Sequence, residues 1–101
     1  ADLSEPISKQ SHGIVLCWSW YADGEASDNY FQYFFGPKYH ITAHDGKSVS
    51  CNDYFSFMKK VLYVHDEYIS GYLTNDDEGT DTLTGLAYNN KKMVLRAVIG
   101  V

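Results

Sequence analysis

Residues 51–71 read CNDYFSFMKKVLYVHDEYISG, and the period of this stretch decides the fold. Asn52 or Asp53 offers a side-chain oxygen to cap a helix. Tyr54, Met58, Val61, His65 and Tyr68 then recur at steps of three and four, while Lys59, Lys60, Asp66 and Glu67 hold the opposite edge. An apolar stripe backed by a polar edge predicts one substantial helix over about residues 53–66, or on to 70, with Gly71 able to stop it.

The flanks have a different period. HGIVLCWSWYA (12–22) is a strand, with Val15, Cys17, Ser19 and Tyr21 on one face and Ile14, Leu16, Trp18 and Trp20 on the other. The turn signal DGEASDN (23–29) and the aromatic YFQYFFG (30–36) follow, so residues 13–35 predict a hairpin, broken at Gly36–Pro37. KYHITAHDGKSVSC (38–51) predicts two short strands around Asp45–Gly46, the strongest short hairpin signal in the chain. The first residues, 1–12, are polar, carry Pro6 and read as an arm with room for one helical turn. Beyond the helix, TNDDEGTD (74–81) is an acidic loop. TLTGLAY (82–88) and KMVLRAVIGV (92–101) are strands joined by Asn89–Asn90–Lys91, with Leu95, Ala97 and Ile99 alternating against Val94, Arg96 and Val98. The expected class is α+β, mainly antiparallel: a sheet or small barrel with one helix, in a single domain over residues 1–101.

The formal charge of −5 and the absence of any basic cluster beyond Lys59–Lys60 and Lys91–Lys92 argue against nucleic acid. No apolar run approaches the roughly 20 residues of a membrane span. A start at Ala1 without Met reads as a secreted or periplasmic chain after leader removal, although a trimmed chain begins the same way. Absent N-x-S/T sequons are compatible with a bacterial origin. Cys17 and Cys51 form an even pair without a C-x-x-C motif. Bonded, they would close a loop worth about 4 kcal/mol; the other reading is two buried free thiols. The secreted reading favours the disulfide.

Catalytic and metal readings are weak, and a non-enzyme without cofactor is expected. His40 and His44 have a zinc-like H-x-x-x-H spacing, but on a strand their rings would stand about 13 Å apart. A Cys–His nucleophile needs a free thiol, and Asp76, Asp77, Glu78 and Asp81 do not follow a calcium-loop pattern. The aromatics are more telling: nine Tyr, five Phe and two Trp, set on both faces of their strands. Some of Trp18, Trp20, Tyr30 and Tyr33 are expected to be exposed or covered by another subunit. Asn89–Asn90 suits a type I′ hairpin turn. Tyr88-Asn89-Asn90-Lys91 also offers a flat apolar ring, amides and an ammonium, the set that sugars require.

On these residues the chain resembles the B subunits of bacterial AB5 toxins. Cholera-type B subunits carry Trp-Asn-Asn-Lys before their last strand, where this chain has Tyr88-Asn89-Asn90-Lys91; Tyr72-Leu73-Thr74 is similar to their segment after the helix. The resemblance implies an OB-like barrel in a ring of five and a sugar site of Tyr88, Asn90 and Lys91. It also implies a cell-surface glycan as ligand, with room for a catalytic A subunit. The cholera-type cysteine pattern departs, having a Cys where Leu86 stands; a pair joining early strands is more similar to subtilase- and pertussis-like B subunits. The competing expectation is a periplasmic inhibitor or immunity protein that caps a basic enzyme with its acidic loops at 23–28 and 75–81.

Overall fold

The computed structural model describes residues 1–52, 59–71, 79–80, 87–89 and 92–101, with the backbone alone at 79–80 and 87–89. The described chain is mostly antiparallel β with one helix, in two sheets. Strand β1 (Gly13–Ala22) is the middle of the first sheet. The turn Asp23–Gly24 folds it onto β2 (Glu25–Ala26); both turn residues have positive φ, 54° and 77°, as a type I′ hairpin requires. Strand β3 (Gln32–Pro37) returns antiparallel along β1, with Phe35 opposite Val15 and Tyr33 opposite Cys17. The hairpin expected over 13–35 is therefore present.

Helix α1 (Lys38–His44) follows Pro37 directly, where the first of two short strands was expected; the second is present, at Ser48–Asn52. Asp45–Gly46 does not turn a hairpin; it ends the helix. Gly46 takes the left-handed step at φ 80°, and the Lys47 N–H donates to the His44 carbonyl at 2.9 Å. The second sheet contains β4 (Ser48–Asn52), β5 (Lys59–Val64), β6 (Ile69–Gly71), β7 (Gly79–Thr80) and β8 (Ala87–Asn89). It runs β4-β5-β8-β7, with β6 also paired to β5. Strand β9 (Met93–Gly100) returns to the first sheet and pairs with β1. Among the described residues the sheets are not closed into a barrel.

The helix expected over 53–66 is overturned at 59–64, which is β5; residues 53–58 lie outside the described residues. Burial shows why. Lys60, Leu62 and Val64 are buried while Tyr63 is exposed, a period of two. The segment Val61-Leu62-Tyr63-Val64 is β-branched and aromatic, which suits a pleated, half-buried surface. The helical stripe through Val61 and His65 overlooked Leu62, which is fully buried. The Lys60 ammonium shares this inner face and is engaged by a partner, as a buried cation must be.

The core lies between the sheets. Ile14, Leu16 and Trp18 of β1 face Cys51, Leu62, Val64 and Ile69, and Met93 closes one side. The arm joins in. Its single turn of 3-10 helix, Ile7–Lys9, buries Ile7 in the core. Asp66 holds that turn through the Ser8 N–H at 2.7 Å and the Ser8 hydroxyl at 2.8 Å.

The inner and outer faces of β1 are those expected, but β9 breaks its alternation. Ala97 lies opposite Cys17 and Leu95 opposite Trp18, so Arg96 is an extra residue in a β-bulge. Leu95 and Val98 both pack toward the core, instead of on opposite faces. Truncating Leu62 to Ala should cost about 2–5 kcal/mol, whereas Tyr63→Ala should cost less than about 1 kcal/mol. Urea denaturation of the two variants checks this, and equal losses would contradict the strand.

Candidate functional site

The outer face of the first sheet follows from the alternation on β1. With Leu16 and Trp18 turned inward, Val15, Cys17 and Ser19 point away from the core. On the β3 side Tyr33 flanks Cys17 and Phe35 flanks Val15; on the β9 side Ala97 and Ile99 do the same. Phe31, Tyr33, Phe35 and Ile99 are 42%, 63%, 57% and 48% exposed. Phe31 stacks on Tyr33 with centroids 6.4 Å apart. The result is a continuous aromatic and aliphatic surface beside an edge of β3 that no described strand covers.

Arg96 is the one formally charged described side chain that the sheet sends to this face, and it is satisfied. The bulge aims its guanidinium at the Ser19 hydroxyl (3.0 Å), the Ser27 carbonyl (2.9 Å) and the Asp28 carboxylate (2.9 Å). Its carbon lies 5.9 Å from the Phe31 ring centroid. Ser19, fully buried on this side, therefore has a donor for its oxygen. Beneath Tyr33, Cys17 raises the phenol pKa above 10.0, through the charge of its thiolate first and then the hydrogen bond between them.

The expected aromatics divide. Trp18 is core and Trp20 half-buried, in an edge-to-face contact with Tyr30 at 6.0 Å between ring centroids, while Tyr30 and Tyr33 are exposed. The expected disulfide is absent: Cys17 and Cys51 are free and buried. The physical reason is the pleat of β1. Cys51 packs in the core with Leu16 and Trp18, whereas Cys17 is on the reverse face, so the sheet separates the sulfurs. Burial pushes the Cys51 thiol from 9.0 up to about 11, against a smaller downward pull from the Trp18 indole N–H. That indole hydrogen has no full hydrogen-bond partner among the described residues.

His40 and His44 are also corrected. They sit one turn apart on α1, not on a strand, with ring centroids 6.1 Å apart. No group of three or more metal-ligating side chains is assembled among the described residues. Of the sugar-binding set, Tyr88 falls in β8, of which the backbone alone is described, and Asn90 and Lys91 lie outside the described residues. Asn89 is the last residue of β8, and β8 and β9 belong to different sheets, so these two strands do not pair as the expected hairpin would require. The acidic Asp76, Asp77, Glu78 and Asp81 lie outside the described residues as well. Among the described residues no helix is long and apolar enough to cross a membrane.

Sequence reasoning missed Arg96, because a bulge has no composition of its own; the two-sided aromatic pattern of YFQYFF did signal the exposed face. Alkylation in guanidinium without reductant should label both thiols, and a mass short by two labels would restore the disulfide. Because the folded Cys51 pKa exceeds its ordinary value, its contribution to stability is full below pH 9.0 and is lost as pH rises through about 11. Cys51→Ala should flatten the fall of stability over that alkaline window in denaturant titrations.

No family model, curated protein or solved structure matches this chain.

Proposed function

We propose that the chain is a non-enzymatic binding protein that acts through the outer aromatic face of its first sheet. The observation that carries this reading is the exposure of Phe31, Tyr33, Phe35 and Ile99 together. At about 150–250 Å² per large side chain, their exposed fractions amount to roughly 400 Å² of surface. That lies within the 300–600 Å² or so of the largest patch on a typical monomer, where such patches are often functional. With Arg96 paired to Asp28, the face has no unbalanced charge to resist another apolar surface.

The specific form we propose is a secreted or periplasmic bacterial toxin B subunit that binds a cell-surface glycan. In that form the two sheets complete an OB-like barrel, copies of the chain meet through the aromatic face as a ring of five, and Tyr88, Asn90 and Lys91 contact the sugar. Five weak sites on one ring would raise avidity on the order of 10²–10⁴-fold. A catalytic A subunit would then be the ring's passenger. The exposed Asp23, in the turn from β1 to β2, and Glu25, in β2, favour a second reading, an inhibitor that caps a basic enzyme with an acidic, aromatic surface.

Native mass at micromolar concentration separates the two. The ring reading expects five times the 11.5 kDa chain, reduced to single chains by Phe35→Glu. A monomeric wild type sinks the ring and leaves the inhibitor. Tyr88→Ala should abolish glycan-array binding while leaving assembly unchanged; retained binding would remove Tyr88 from the site.

A further inference from the structure

A concave feature of another kind lies under α1 and shares Phe35 with the outer face. A cavity of about 190 Å³ opens between the helix and the two sheets. Leu16, Cys51 and Val64, all buried, form its floor, and Val49 lies on its wall. Tyr39, His40 and His44 of α1 line its solvent side, Tyr39 and His44 being exposed and His40 half-buried. The roof is lightly held. No residue of this seven-residue helix is buried, and no side chain caps its start.

Size and chemistry restrict the occupant. An apolar cavity of about 150 Å³ stays dry and takes benzene, whereas sites for drug-sized ligands begin near 300 Å³. The space therefore suits one aromatic ring or a fused pair and is too small for a nucleotide or a disaccharide. No Asp, Glu, Lys or Arg lines it, so an ionic ligand would lose its hydration without a counter-charge of that kind. The polar handle is His40. Its Nε2 lies 3.2 Å from the Lys47 carbonyl oxygen, which accepts and cannot donate, so Nε2 carries a hydrogen, and in the tautomer with that one ring hydrogen the other ring nitrogen is an acceptor. We propose that this cavity binds a small, neutral aromatic molecule with a single hydrogen-bond donor, of the indole or phenol class.

Indole and benzofuran, which has the same shape without the N–H, are the probes. Titrating indole into the full chain should shift the methyl resonances of Leu16, Val49 and Val64 saturably and raise Tm. Benzofuran should bind roughly 2- to 12-fold more weakly, the worth of one net hydrogen bond, and His40→Phe should erase the difference. Val49→Phe should abolish indole binding by filling the space; if it does not fold, Val49→Leu should weaken binding instead. No saturable shift at millimolar indole, or affinity unchanged in the folded Val49 variant, overturns the site. Equal affinity for the two probes in the wild type overturns the donor requirement.

Discussion

Strand β1 has to satisfy both of its edges and both of its faces at once. Its backbone is paired to β3 on one side and to β9 on the other, and β2 extends the pairing at its end. A strand with no free edge cannot slip, because a shift of one residue would carry Trp18 out of the core and Cys17 into it. The inner row of Ile14, Leu16 and Trp18 thus fixes the outer row of Val15, Cys17 and Ser19. Everything that distinguishes the outer face, from the buried Ser19 to the thiol under Tyr33, is set by what the core demands.

The bulge at Arg96 reconciles two requirements that strict alternation cannot meet. Val98 and Leu95 both have to reach the core, although an odd number of steps separates them. One extra residue absorbs the mismatch and points outward, and the protein has placed there a side chain long enough to join Ser19, Ser27 and Asp28. A guanidinium suits the position, since several donors lie in one plane and its flat face can rest on Phe31.

Much of the first sheet was legible in the sequence. HGIVLCWSWYA has an unbroken period of two, and Asp23–Gly24 sits where a tight turn is needed. In the second sheet the strand after Asp45–Gly46 was legible as well, but β5 and β6 were not, because CNDYFSFMKKVLYVHDEYISG satisfies two periods. Its three-and-four spacing is real, but strand pairing to β4 and the inward row of Lys60, Leu62 and Val64 prevail. The helix at 38–44 was hidden for the opposite reason: Ile41 and Thr42 are poor helix formers, and Pro37 before them with Gly46 after them sets the boundaries. As for the sites, the aromatic excess was a fair signal of an exposed face. The cysteine count was not a signal of a bond, since counting cannot say on which side of a strand a sulfur falls.

Pairing β1 with β9 also has a consequence in time. Ser19 and Arg96 are 77 positions apart, and the arm's Ser8 meets Asp66 across 58. Contacts of such range close large loops before they repay the entropy, which slows folding. Until β9 is in place, the most apolar strand of the chain has an open edge and a bare outer row, next to a β3 that is already aromatic. A nascent chain halted before residue 93 would therefore be a sticky intermediate, and its safe passage to the folded state would depend on whatever shields β1 during that wait.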